Sequence, residues 1–177
     1  SIAILNGVAG RPWDYVFNLS LAGRVLPPFL RGLMFMPRTI ETVVRQATRL
    51  PDPGTWAKRI GLAASTLDEQ VAAEVVDRFR TLDMETFIRL LEWMGRHDAW
   101  DLLPLIDVPV LIIAGSRDVF TPRSAAERMA RRIRGAEIML IPGATHYAAL
   151  EYPEMVNLRL EKFWRERGYE PAPVNAG

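Results

Sequence analysis

Cysteine is absent from this chain, so neither a disulfide nor a thiolate metal site is available to it. Lysine is almost absent too: Lys58 and Lys162 are the only two, and arginine supplies the rest of the basic charge. With 22 basic against 21 acidic residues the net charge is +1, which gives no reason to invoke nucleic acid, a membrane surface or an acidic substrate. Histidine occurs twice, as His97 and His146, too far apart in sequence to suggest a shared metal centre. No metal and no cofactor is therefore expected. Long apolar runs are missing as well. The most apolar stretch, VLPPFLRGLMFM at 25–36, is interrupted by Pro27, Pro28 and Arg31, well short of the ~20 residues a membrane span needs. No internal repeat or low-complexity tract is present, and no signal peptide is legible. The compartment stays open, with the cytoplasm as default.

What the chain does have is an alternation of short apolar runs with helical ones. Val110 to Ile113 form a continuous apolar run between Pro109 and Gly115, as expected of a strand buried on both faces of a parallel sheet. Residues 123–134 carry apolar or small residues at helical spacing among charges, and Gly135 closes the run. Ile138 to Ile141 make a second apolar run, stopped by Pro142-Gly143. Strand, helix and strand with short connections predict a βαβ unit. The opening IAILNG reads as a further strand that ends in a small-residue turn at Asn6-Gly7.

Asp118 lies just past the end of one of these strands and His146 just past the end of the next. Ligands and reacting groups gather at that edge of an open parallel sheet. A carboxylate on one loop can accept from one ring nitrogen of an imidazole on the other, leaving the second nitrogen free as a general base. Taken singly, Asp118 reads as a turn former and His146 as a surface histidine. Taken together, on successive strand ends, they point to a catalytic pair. Phe120 and Tyr147 neighbour them and are candidates for lining a substrate pocket, local packing being the equal alternative.

On these residues the sequence resembles the α/β-hydrolase superfamily, and specifically its C-terminal portion. Gly115, Asp118 and Pro122 fit the family's G-x-x-D-x-x-x-P, and Gly143 with His146 fits its G-x-x-H, followed by an acidic helix start at Glu151 to Glu154. Acid and histidine stand 28 residues apart, the family's spacing. The resemblance covers Ser1 to about Gly168. It implies an α/β class, a partial hydrolase fold with about three parallel strands (1–5, 110–114 and 137–141), flanking helices and a helical cap insertion. In domain terms, 1–10 and 104–168 form the core portion, 11–103 the cap, and 169–177 a frayed tail.

One family element does not match. The nucleophile elbow G-x-S-x-G is not present, no G-x-D-x-G replaces it, and the loop that completes an oxyanion hole is missing too. The implied partner is therefore the N-terminal half of the hydrolase core. The implied reaction is attack on an ester-like or other small apolar substrate by a nucleophile upstream of this chain. Asp118 and His146 would complete the triad. Two other readings stay open: a non-catalytic binding protein on the same scaffold, and a hydrolase with Ser1 as N-terminal nucleophile.

Within 11–103 the pattern is helical. Helical runs are expected at 15–26 and 29–36, and at Thr39 to Leu50, stopped by the PDPG at 51–54. A capping box at Thr66 and Glu69 precedes a helix with Val71, Val75 and Phe79 on one face. A last run, 81–96, places Phe87, Leu90, Leu91 and Met94 together. His97 ends it, where a cation suits the helix terminus. Trp93, Trp100 and Trp164 are expected to pack in apolar faces. The arginines at 128, 131, 132 and 134 read as a solvated outer helix face.

Overall fold

The computed structural model describes residues 1–15, 36–47, 53–59 and 61–169, with the single positions 24, 25, 28, 29 and 32. The helical runs expected at 15–26 and 29–36 lie almost wholly outside the described residues, as does the tail beyond Tyr169. Three parallel strands form the sheet, in the order β1 (Ile2–Leu5), β2 (Val110–Gly115), β3 (Glu137–Ile141). The register sets Ile2 against Val110 and Leu5 against Ile113, then Leu111 against Glu137 and Gly115 against Ile141.

β2 is the central strand, and all six of its residues are buried. Successive side chains of a strand point to opposite faces, so β2 feeds two separate cores. Val110, Ile112 and Ala114 pack with Ala126, Met129 and Ile133 of the helix α5 (Arg123–Arg132) and the turn after it. Leu111 and Ile113 pack on the other face with Ile141, Val156 and Phe163, the last two from α7 (Pro153–Arg165). Burying each large aliphatic side chain contributes about 1.5–3 kcal/mol. The exposed i,i+4 ion pairs, such as Glu85–Arg89 and Glu41–Arg45, contribute only about 0.3–0.5 kcal/mol apiece. The sheet and its two helical layers therefore hold the fold.

The described residues between β1 and β2 include the helices α1 (Pro37–Ala47), α2 (Pro53–Arg59), α3 (Glu69–Thr81) and α4 (Met84–Met94). A one-turn helix, α6 (Ala148–Glu151), precedes α7. The structure corrects several local expectations. α3 is capped by Asp68, whose carboxylate accepts from Gln70 N at 2.8 Å and Val71 N at 3.1 Å. Thr66 stands two residues too early for that role. α2 begins inside the PDPG stretch, with Pro53 at its first position, where a missing N–H costs nothing. On α4 the buried residues are Met84 and Ile88, while Leu90 and Met94 are exposed. Trp93 is also exposed and carries the Arg96 guanidinium 5.6 Å from its ring centre. Arg128 and Arg132 are not merely solvated: Arg128 lies 4.2 Å over the Trp100 ring, and Arg132 donates to the Trp100 carbonyl.

The carboxyl ends of β2 and β3 approach each other closely. Ser116 N donates to Ile141 O, and Arg117 N to Ala144 O. Gly115 is required at this crossing, because a Cβ there would sit 2.4 Å from both the Ala144 and Thr145 carbonyl oxygens. Those are backbone atoms, which yield only if the whole turn moves. Gly115→Ala should therefore displace the 143–146 turn and cost about 2 kcal/mol, an overpacking penalty measurable by denaturant unfolding.

Candidate active site

Three loops leave the carboxyl ends of the three strands, and the site is built where they meet. The β2 loop supplies Asp118, whose side chain is fully buried. Its Oδ1 accepts from Phe120 N at 2.8 Å and Thr121 N at 2.9 Å. Its Oδ2 accepts from Thr121 Oγ1 at 2.6 Å, from Asn6 Nδ2 at 2.8 Å and from His146 Nδ1 at 2.9 Å. Burial pushes this carboxyl up, but the hydrogen bonds from His146, Thr121 and Asn6 outweigh it and hold it below the ordinary range. Asp118 is thus an ionised acceptor. Since it can only accept, the proton it receives from His146 sits on Nδ1.

The β3 loop supplies His146. Its side chain is 36% exposed, and Nε2 makes no hydrogen bond with a described residue. Phe120 meets the imidazole edge to face at 5.3 Å, and Tyr147 does so at 6.3 Å. The structure therefore brings together all four residues singled out in the sequence. Tyr147 also packs against Ala63, Leu67 and Ala72 of the inserted helical segment, and burial followed by the Glu151 charge pushes its phenol up.

Sequence reasoning missed four residues of this network: Asn6, Thr121, Thr145 and Glu151. Asn6 closes β1 with φ +46°, a left-handed conformation that Asn tolerates better than most residues. From there its amide reaches both Asp118 and the Thr145 carbonyl, the latter at 3.1 Å. Thr121 contributes a hydroxyl and an N–H to one carboxylate. The acidic helix start expected at 151–154 is present, with Glu154 in the first turn of α7, while Glu151 itself is buried at the end of α6. Of these, Asn6 was visible as part of a turn at a strand end and Glu151 as part of an acidic helix start, but neither pattern pointed to the network.

An open cleft of about 900 Å³ runs between the inserted segment and the loops after β2 and β3. Ala63, Ser65, Ser116, Asp118, Thr145 and Tyr152 are among the residues lining it, whereas Phe120 and Tyr147 are not. Among the described residues no helix is long and apolar enough to cross a membrane.

The Asp118 carboxylate gives stability a pH dependence of defined sign. Its folded pKa is depressed, so its contribution to stability is complete above the ordinary carboxylate range and is lost as pH falls through that range towards the folded value. Asp118→Asn should cost about 3 kcal/mol at neutral pH, because donors are left facing an amide N–H₂. The variant should also flatten the acid limb of the stability curve, read by urea unfolding at a series of pH values.

The comparisons with known proteins agree with this fold. Residues 95–174, which include Asp118 and His146, match the family model Abhydrolase_4, TAP-like protein. Among curated proteins the chain is similar to epoxide hydrolase 2 of Caenorhabditis elegans, 32% identical over 69 residues, covering 39% of this chain and 19% of that protein. It is also similar to pimeloyl-[acyl-carrier protein] methyl ester esterase of Neisseria meningitidis, 39% identical over 64 residues, covering 36% of this chain and 25% of that one. Among solved structures, the α/β hydrolase MGS-M2 from a Medee basin deep-sea metagenome library superposes with a TM-score of 0.60 at 19% identity. That match covers 98% of this chain and 57% of the other. The enol-lactonase of Burkholderia xenovorans gives 0.61 at 18%, over 91% and 54%. The chain thus spans little more than half the length of these structures, and its matches take in a quarter or less of the curated relatives. Strand order, layers and matched sequence together give this chain the fold of the C-terminal portion of an α/β hydrolase.

Proposed function

We propose that the chain supplies the acid and the histidine of a nucleophile–His–Asp triad in a hydrolase of ester-like or other small apolar substrates. The observation that carries this reading is the 2.9 Å bond from His146 Nδ1 to a buried, ionised Asp118, with Nε2 unengaged on a partly exposed ring. In that state Nε2 is a base. It would take the proton of a serine hydroxyl as the oxygen attacks a carbonyl carbon, and Asp118 would stabilise the imidazolium that forms. The same proton then passes to the leaving alcohol. Water, deprotonated in turn at Nε2, attacks the acyl carbon, and the proton passes from Nε2 to the serine oxygen as the acid leaves.

The nucleophile and the oxyanion donors come, in this reading, from a hydrolase N-terminal half outside this sequence. Such a partner would also pair the edge of β1, whose Ile2 and Leu5 are exposed and whose only strand neighbour among the described residues is β2. The inserted segment 11–103 acts as the cap, with Tyr147 at its seam. An aspartate nucleophile would be served by the same pair, and the similarity to an epoxide hydrolase favours keeping that chemistry as the second reading. Ser1 is a poor nucleophile candidate. It precedes β1 at the amino ends of the strands, about 13 Å from the loop edge at ~3.3 Å per residue.

The test is hydrolysis of short aryl esters and of an aryl epoxide. The chain by itself should turn over neither. Joined to a core half that carries the nucleophile, it should do so, and His146→Ala should lower kcat by about 10⁶-fold. An active isolated chain that His146→Ala silences would place the nucleophile within these 177 residues. Tight binding of an apolar ester with no turnover in the joined protein would instead indicate a binding scaffold.

A further inference from the structure

A second buried carboxylate lies beside the site and has no part in the proposed proton transfers. Glu151 is 5% exposed, and no cation pairs with it among the described residues. Its partners are hydrogen-bond donors. Oε2 accepts from Thr145 N at 2.7 Å, while Oε1 accepts from Thr145 Oγ1 at 2.6 Å and from Ala64 N at 2.7 Å. Thr145 is the residue before His146, and Ala64 belongs to the inserted segment, 87 positions away.

These bonds close a ring. Glu151 holds Thr145 by its N–H and its hydroxyl, and Asn6 holds the Thr145 carbonyl. Asn6 also holds Asp118, and Asp118 holds the His146 ring. The peptide leading into His146 is therefore fixed on both sides, by one carboxylate and one amide. The same carboxylate ties that peptide to Ala64, and the Thr145 hydroxyl lies 3.1 Å from the Leu62 carbonyl. A carboxylate buried without a cation is costly unless its hydrogen bonds are good. Here all of them converge on the histidine loop and on one turn of the inserted segment.

We propose that Glu151 is a positioning residue for His146, locking the histidine loop to the 62–64 turn of the inserted segment. The orientation of the imidazole toward Asp118 then depends on that segment being seated. This rests on the catalytic reading of Asp118 and His146. A group acting through its neighbours in this way sets the geometry of a general base without touching substrate.

The sequence offers a clean probe, since His97 and His146 are its only histidines and His97 is exposed. In the chain labelled with ¹⁵N, the Nδ1-bound proton of His146 should appear as a slowly exchanging signal that His97 lacks. The Ala64 and Thr145 amides should be protected. Glu151→Ala should abolish the Nδ1 signal and speed exchange at Ala64 and Thr145 at least tenfold, while the amides of Leu111 to Ile113 keep their protection. That pattern separates positioning from a general loss of stability, which would move the β2 amides as well. Glu151→Gln keeps the shape and one acceptor oxygen. It should retain the Nδ1 signal and lose protection at one of the two amides. The same variant decides the question if Glu151→Ala melts the chain: unchanged exchange at both amides in Glu151→Gln overturns the proposal. Asp118→Asn serves as the control for the site itself. If it removes the Nδ1 signal and Glu151→Ala does not, Glu151 has no positioning role and the pair stands. If Asp118→Asn leaves the signal in place, the acid–histidine reading itself falls.

Discussion

One buried carboxylate holds the three strand-end loops to one another. Asp118 belongs to the β2 loop, accepts from Asn6 at the end of β1, and accepts from His146 after β3. Removing a charge from water is expensive, and the cost is offset here by five donors arranged around two oxygens. Nothing in that arrangement tolerates slack. If β1 shifted its register by one residue, Asn6 would point its amide away from Asp118, because side chains alternate along a strand. The pairing of Leu5 with Ile113 is thus part of the site as much as of the sheet.

The apolar layers hold the frame on which that arrangement depends. β2 fills one core with its even residues and another with its odd ones, so its carboxyl end is fixed from both faces. Gly115 then lets the β3 turn cross against the strand end, and Gly143, at φ +79°, turns the chain back toward it. A side chain at 115 would push the Thr145 carbonyl away from Asn6, and the imidazole would move with it. Precision at His146 therefore comes from close backbone packing one and two residues earlier, at Thr145 and Ala144.

The strands and the acid–histidine pair were legible in the sequence because they rest on local signals. Short apolar runs bounded by proline or glycine mark β2 and β3, and the loops after them are too short to carry Asp118 and His146 far from the strand ends. Asn6 and Glu151 were not legible, since each takes its role in part from a partner brought close only by the fold, whereas Thr121 bonds a carboxylate three residues before it, a local turn that the spacing of acid and histidine does not announce. Asn6 and Asp118 are 112 positions apart, and Ala64 and Glu151 are 87. The inserted segment was read less well for another reason. Thr66 and Asp68 are both residue types that cap helices, and only the start of α3 at Glu69 decides between them. On α4, apolar residues outnumber the buried positions, so spacing alone could not tell Ile88 from Leu90.

The two buried carboxylates divide the work by what surrounds them. Asp118 faces the imidazole directly, so its charge serves the ring: it fixes the tautomer and would stabilise an imidazolium. Glu151 touches no ring nitrogen, so its charge serves the backbone that carries the ring. The difference follows from position. A carboxylate two residues past the Gly115-Ser116 bend can look into the space between the loops, whereas one at the end of α6 looks back under its own turn and out to Ala64. Through Ala64 and Leu62 the inserted segment thereby meets the loop that carries the imidazole, so the seating of that segment and the placement of the ring are parts of one hydrogen-bonded network.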